Sequence, residues 1–562
     1  MSLGVPLTGT EQASGGGPVR CCSTPSRAPF VVTASGLSQR SSAGVGDTGD
    51  RGGRPVNAVG STDTVAGATT EDEQYDVVVV GAGNAALCAA ISAREEGASV
   101  LVLEAAGPDS RGGNSFFTGG ALRFAFNDLD DIRQLIPDLT DDEAEQFVIT
   151  PQPAEKLFDE LAELSEYLAD PELTDTVVEN GYDTLLWLAG HGLKFGLAAG
   201  RHGQRLNGKI YMSDGNPVEL WGGGRELVNS LFRISDALGA VIRYDARALG
   251  LDMTDDGVEV AYLKGGTKRR VKARSVVLAS GGFEANPEMR TRYLGPNWEL
   301  ARVRGTEFNV GDGLRMAIDL GAASTGNWSG CHAVAWDVNA PLTGDRKVGD
   351  SFQKHSYPHG IVVNANAERF LDEGADFHTH TYAKYGGEIL KQPGRVAYQI
   401  FDDKVMDRLR EEYRQRATKF TADTIPDLAK KMGVDPDRLE KTVTEFNASI
   451  NDREYNPTTK DGKATVGITP PKSNWALPIN KPPFVAYAVT CGITFSFGGL
   501  RISTDAEIVD PAGRPLPGLY AAGEIVGGLY FYNYPSGAGL VSGAVFGRAA
   551  GRNAAQRAAA KQ

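Results

Sequence analysis

Four consecutive valines, Val77 to Val80, follow Tyr75-Asp76 and stop at Gly81. An apolar run without alternation marks a strand covered on both faces, so it predicts a buried parallel strand. Small and apolar residues from Ala85 to Glu96 predict a helix, and Val100-Leu-Val-Leu predicts a second strand ending on Glu104. Between Asp141 and Ala189 apolar positions return every three or four residues, as at Phe158, Leu161, Leu164 and Leu168. That stretch is expected to be mostly helical. Another helix is expected from the Trp221-Gly-Gly-Gly turn to Leu238-Gly239. Strands then follow at Val241-Ile-Arg-Tyr, Val258-Glu-Val-Ala-Tyr and Val271 to Ala279. The charged turn Lys264-Gly-Gly-Thr-Lys-Arg-Arg predicts an antiparallel ribbon set into the parallel sheet.

The pattern changes from about Ser329 to Val489, where prolines, histidines and a charged block from Asp402 to Arg416, expected to be helical, replace the glycine turns. We read this middle as an inserted lid. Glycine turns resume at Gly518-Leu-Tyr-Ala-Ala-Gly-Glu and Tyr532-Asn-Tyr-Pro-Ser-Gly-Ala-Gly-Leu, and an alanine-rich helix is expected from Leu540 to about Ala560. Residues 1–73 are rich in Gly, Ser, Thr and Ala and too poor in large apolar residues to offset the entropy of ordering. They are expected to be a disordered extension, or an over-called start, with the fold beginning near Gln74.

Composition narrows the class. A net charge of -14 over 562 residues, with a pI near 5.2, argues against nucleic acid, which needs a basic face. No run approaches the roughly 18 apolar residues of a membrane span. The five cysteines, Cys21, Cys22, Cys88, Cys331 and Cys491, lack metal-ligand spacing, so no metal site is expected and a reducing cytoplasm fits.

The sharpest chemistry lies in Val80-Gly-Ala-Gly-Asn-Ala-Ala. A strand, a Gly81-x-Gly83 turn with a small residue at Ala86, and a helix bring backbone amides and a partial positive charge onto a pyrophosphate. Glu104, 21 residues beyond Gly83, ends the next strand where a carboxylate accepts from a ribose. These elements imply FAD or NAD. Downstream glycine turns at Ser280-Gly-Gly and Gly523-Glu524 favour FAD, since they supply contacts that a nicotinamide site does not need.

Five segments in this order resemble the fumarate reductase/succinate dehydrogenase flavoprotein superfamily, and within it the FAD-dependent tricarballylate dehydrogenases. They are Val80-Gly-Ala-Gly-Asn-Ala-Ala, Arg111-Gly-Gly-Asn-Ser, Ser280-Gly-Gly-Phe-Glu, Glu368-Arg-Phe-Leu-Asp-Glu and Ala522-Gly-Glu-Ile-Val-Gly-Gly. The resemblance implies an α/β architecture: a Rossmann-like FAD-binding domain in two parts, 74–328 and 489–562, with an α+β capping domain at 329–488. It implies that FAD is held by Gly81, Gly83, Asn84, Ala85, Glu104, Gly113, Asn114, Ser115, Gly119, Gly120, Ala246, Ser280, Gly281, Gly282, Gly523, Glu524, Gly537, Gly539 and Leu540. Some relatives attach FAD to a histidine just before the glycine-rich loop. Asp109-Ser-Arg111 stands there, so non-covalent FAD is expected.

Fumarate reductases of this type use an arginine after the Arg-Phe-x-x-Glu box as proton donor. Here Gly374-Ala-Asp-Phe-His-Thr-His occupies that stretch, and His378 is the expected base, with a surface pair formed by His378 and His380 on a strand or loop as the competing reading. A flavin dehydrogenase passes hydride to N5 while such a base takes the neighbouring proton. The His-His pair of those reductases is replaced by Thr494-Phe-Ser-Phe-Gly-Gly, and their carboxylate-binding arginine by Asn533-Tyr-Pro-Ser-Gly. His332, His355, Tyr382, Thr494, Tyr532 and Arg302 (with Arg304 nearby) form the expected substrate group. A buried structural histidine is an equal alternative for His332. Tyr534 before Pro-Ser-Gly is the second expected catalytic residue, and it resembles the tyrosine turn of 3-ketosteroid Δ1-dehydrogenases. The expected substrate is a small anionic polycarboxylate, with tricarballylate oxidised to cis-aconitate as the leading case. A ketosteroid dehydrogenase, a fumarate-reductase-like enzyme and a non-catalytic flavin-binding protein are the alternatives. Without a Cys-x-x-Cys-His haem motif, electrons are expected to pass to a separate acceptor, either quinone-linked or an iron–sulfur protein, reached from the cytoplasm.

Overall fold

A computed structural model describes residues 73–560; the expectation for the N-terminal extension, with Cys21 and Cys22, lies outside them. The valine run forms the strand Gln74–Val80, with Val77, Val78 and Val79 fully buried. It lies between Val100–Leu103 and Thr267–Leu278, parallel to both. Val241–Arg243 extends this parallel sheet on one side. On the other side, the second half of Thr267–Leu278 pairs in parallel with Pro515–Ala521 from near the C-terminus. Its first half pairs antiparallel with Val258–Lys264, which in turn pairs with Ala246–Met253. The expected ribbon is thus continuous with the parallel sheet, because one twelve-residue strand serves both.

The helix Asn84–Glu95 is buried along most of its length and packs against the C-terminal helix Ala538–Ala560. Glycines every fourth residue make the contact possible. A Cβ on Gly547 would lie 2.4 Å from the Ala85 carbonyl oxygen, and one on Gly551 would lie 2.1 Å from that of Ala89. The low hydrophobicity of both helices therefore reflects backbone-to-backbone packing rather than exposure.

A second sheet has the thirteen-residue strand Phe484–Ser496 at its centre. Cys331–Asp337, Ala397–Phe401 and Lys419–Ala422 pair with it antiparallel, and Arg302–Val303 pairs in parallel. The sequence boundary between 488 and 489 falls inside that strand. Its first half belongs with the middle segment, and its second half runs to Thr494, Phe495 and Ser496 beside the glycine turns.

Two local expectations are corrected. The block Asp402 to Arg416 is not one helix but a short turn at Asp403–Val405 and a four-residue helix at Glu412–Gln415. Between them the Arg410 amide donates to Ser356 Oγ at 3.1 Å, a tertiary bond that replaces helical continuation. His378 and His380 stand on neither a strand nor a loop. They start the helix His378–Leu390. At about 100° per residue, positions two apart on a helix face nearly opposite ways. The two histidines accordingly have different neighbours.

Candidate active site

One cavity runs from the Gly81 turn to the face of the second sheet, enclosing about 1920 Å³ of non-protein space including the part open to solvent. At one end Gly81 holds φ at 105°, and a Cβ there would come within 2.4 Å of the Ala279 carbonyl oxygen. Only glycine fits such a turn. The helix behind it has no side-chain N-cap; Ser115 Oγ accepts the Asn84 amide at 2.9 Å, and the rest of the first turn is open to an anion. Glu104 is buried at the end of its strand and accepts the Ala106 amide at 2.8 Å. Burial pushes its pKa up to about 7 against the two backbone amides that favour the carboxylate.

Midway, Glu284 is fully buried and Glu524, half-buried, lies beside it. Asn309 Nδ2 donates to both, at 3.3 Å and 2.6 Å, and Asn114 Nδ2 donates to Glu284 at 2.6 Å. Ser496 supplies its amide to Glu524 at 3.0 Å. Burial raises both carboxyl pKa values, and their mutual repulsion raises that of Glu524 well above the usual range, so the pair keeps a proton. Backbone amides at a helix start, a ribose-sized carboxylate and an elongated glycine-lined channel fit a dinucleotide. Of the expected cofactor residues, all but Ala246 and Gly282 line the cavity. Ala246 instead donates its amide to the Glu104 carbonyl oxygen at 2.8 Å, and Ala248, two residues on, reaches the channel. Gly282 faces Glu524 and Ser496 too closely to leave open space.

At the far end one wall is aromatic and another carries imidazoles. His332 is stacked on Phe495 at 5.2 Å and is met edge-on by Tyr382 and Tyr534, each with ring centres at 4.9 Å. Among the described residues neither ring nitrogen of His332 has a partner, and the same holds for Nε2 of His355. Burial holds both histidines well below the usual imidazole range, so they are neutral at pH 7. Unpartnered nitrogens in a buried, neutral ring are costly unless something binds them.

His378 faces this cavity, but its Nε2 lies 2.8 Å from Arg410 Nη1. An arginine only donates, so Nε2 accepts and the neutral ring carries its proton on Nδ1. Burial first, and then Arg410, depress its pKa well below the ordinary value. His378 therefore does not present the free Nε2 expected of a base. Arg410, from the broken block, was missed because nothing in its local sequence ties it to the box at 368–373.

Arg304 also lines the cavity, gripped in two-pronged fashion by Asp350 at 2.7 and 2.9 Å and donating to Thr494 Oγ1 at 3.2 Å. Arg302 does not line it: its guanidinium is taken by the carbonyls of Val338 (2.8 Å) and Ala340. Tyr532 lies outside, 52 % exposed. The Tyr534 hydroxyl accepts the Gly539 amide at 2.8 Å, so the two do not aim jointly at a ligand. His380, turned away, lies 2.8 Å from Glu160 Oε1 but off the line of a good hydrogen bond.

A family model for an FAD-binding domain matches residues 76–540. The chain belongs to that family. A probable fumarate reductase, Ifc3, of Shewanella frigidimarina is 28 % identical over 494 residues, covering 86 % of this chain and 76 % of its own length. A 3-oxosteroid 1-dehydrogenase of Mycolicibacterium smegmatis is 26 % identical, covering 87 % and 99 %. The open conformation of a flavocytochrome c3 fumarate reductase superposes with a TM-score of 0.65 at 27 % identity, covering 86 % and 79 %. This flavoprotein is an FAD-dependent oxidoreductase of the fumarate reductase/succinate dehydrogenase superfamily, acting on CH–CH bonds. The relatives carry different substrates in their names, so they support the reaction class and not the tricarballylate assignment. Among the described residues no group of side chains suits a metal ion, and no helix is long and apolar enough to cross a membrane.

Proposed function

We propose that this flavoprotein interconverts a C–C single and double bond beside a carboxylate in a small polyacid of the tricarballylate class. FAD, bound non-covalently in the glycine-lined channel, supplies two-electron oxidising or reducing power when in place. Arg410 carries the reading. Its guanidinium borders the cavity and touches His378, and its ion pair with Glu412, at 3.7 Å, is looser than the two-pronged grip of Asp350 on Arg304.

In this reading Arg410 anchors a substrate carboxylate, and His378 holds the guanidinium in place by accepting from Nη1. His332 and His355 line the same end of the cavity as neutral rings, and their partnerless nitrogens are covered by protein. The aromatic wall of Tyr382, Phe495 and Tyr534 excludes water, which strengthens those polar contacts. The segment 329–488 acts as the cap that brings His332, His355, His378, Tyr382 and Arg410 over the channel. With FAD in place, the electrons would leave through a separate acceptor, quinone-linked or an iron–sulfur protein.

The same aromatic wall favours a second reading, oxidation of a 3-ketosteroid, for which an apolar pocket is the requirement. Anaerobic mixing separates the two. Bleaching of the flavin absorbance by tricarballylate, and not by 4-androstene-3,17-dione, is the expected result. Bleaching by the steroid alone would transfer the assignment, and bleaching by neither would sink both.

A further inference from the structure

His202 lines the cavity beside His378, in a stretch of sequence that carries no motif. A hairpin places it there. Strands Gln204–Leu206 and Lys209–Met212 pair antiparallel, which returns the chain so that Asp214 meets His202. His202 Nδ1 lies 3.2 Å from Asp214 Oδ2, and both residues are buried. The Asp214 turn is locked from behind. Its Oδ1 accepts the Asn216 amide at 3.3 Å, and its carbonyl accepts Nη2 of the buried Arg123 at 2.7 Å. The His202 ring stacks on His378, with centres 5.5 Å apart and planes 13° from parallel. Among the described residues no group takes His202 Nε2.

We infer that the His202–Asp214 dyad is the acid–base catalyst of this reaction, with His202 Nε2 as the atom that exchanges a proton with the substrate. This rests on the functional reading above. The aspartate accepts from Nδ1, which fixes the tautomer and leaves Nε2 as the lone-pair nitrogen toward the cavity. By contrast, Nε2 of His378 is already committed to Arg410.

In dehydrogenation the substrate C–H bond next to the carboxylate breaks and its proton goes to Nε2. Its electron pair becomes the new C–C π bond as the neighbouring carbon releases hydride to the two-electron acceptor in the channel. The resulting imidazolium is paired with Asp214, whose carboxyl is kept ionised well below the usual range by its contact with His202 despite burial. Reduction runs the same transfers backward. Four groups set the titration of His202 besides its burial, which lowers it: Asp214 works upward, while Arg410, Arg201 and the adjacent His378 are the other groups facing it. The net direction is down, so the ring is neutral at pH 7 and able to accept.

The test uses the full-length holoenzyme, with single-turnover anaerobic bleaching by tricarballylate followed from pH 5 to 9. His202→Gln is expected to slow bleaching about 10²- to 10⁴-fold, with FAD content and the half-saturating tricarballylate concentration held within about threefold. Asp214→Asn is expected to slow it at least tenfold and to move the acid limb of the profile to lower pH. Bleaching by His202→Gln within threefold of wild type overturns the dyad alone. Failure of the wild type to bleach with tricarballylate or with 4-androstene-3,17-dione overturns the functional reading, and the dyad with it. If His202→Gln loses FAD, Asp214→Asn decides: an unchanged rate and profile overturn the dyad.

Discussion

Glu160 is where the helix His378–Leu390 and the buried Arg123 share one charge, and replacing it by glutamine tests how the site is held. Its carboxylate is paired with Arg123 and accepts from Gln152, while His380 lies 2.8 Å away. The Arg123 side chain has no exposed surface and also donates to the Ser536 and Asp214 carbonyls at 2.9 and 2.7 Å. Glu160→Gln thus leaves a buried guanidinium with neutral acceptors only. Removing one partner of a buried pair costs about 3–5 kcal/mol, and the surviving carbonyl bonds favour the low end, about 3 kcal/mol. For a unit of about 490 residues the unfolding entropy is about 1 kcal/mol/K, so the melting temperature should fall by about 3 °C. The loss should depend on pH. Burial opposes the charge on His380, but Asp376 and Glu160 outweigh it and raise its pKa in the folded state. Its contribution is complete below the unfolded value near 6.5 and is lost as pH rises through the folded value. Glu160, with its pKa lowered, contributes above about pH 4.5. The melting difference between wild type and variant, followed by flavin fluorescence, should therefore be larger at pH 6 than at pH 9. It should persist at pH 9 through Arg123. A difference under 1 °C at pH 6, or one that is equal at both pH values, refutes the reasoning.

Three further outcomes follow from the geometry. Gly282→Ala puts a Cβ 2.2 Å from Glu524 Oε1 and 2.3 Å from Ser496 Oγ, so the purified variant should carry markedly less FAD by absorbance ratio; full occupancy would contradict the channel as drawn. Arg410→Ala removes the charge that, after burial, most depresses His378, so the His378 titration seen by NMR should move to higher pH, and tricarballylate-dependent bleaching should weaken by about 2–3 kcal/mol, or roughly 30- to 150-fold. Because burial pushes Glu104 up to about 7 before a ribose is bound, FAD affinity of the stripped protein should rise by up to about tenfold per unit from pH 6 to 7 and level off above. Glu104→Gln should flatten that dependence, and a flat wild-type profile would show that the carboxylate is not the ribose contact.

The cofactor end was legible because its chemistry is local. A strand, a tight turn and a helix start are contiguous, and the carboxylate that completes them follows within one βαβ unit. Residue types alone carry that information, down to the small residues that let two helices meet backbone to backbone. The helix at 538–560 was expected from its alanines, but the reason for Gly547 and Gly551 appears only once Ala85 and Ala89 are seen behind them.

The substrate end was only half legible, because it is assembled from segments far apart in the chain whose local patterns are ordinary. His378 was found through its place after the Arg-Phe-x-x-Glu box, yet its partner Arg410 lies in a charged block expected to be a helix. That block is broken by a bond to Ser356, a tertiary effect invisible to periodicity. His202 and Asp214 were missed for the opposite reason. They are close in sequence, but only the antiparallel pairing of the short strands between them makes the separation of twelve residues meaningful. A hairpin with a histidine before it and an aspartate after it brings the two together at its open end. Burial then decides what the pair does. On a solvated hairpin it would be a minor ion pair, whereas in the wall of this cavity the carboxylate fixes the tautomer of His202 and leaves its Nε2 as the lone-pair nitrogen.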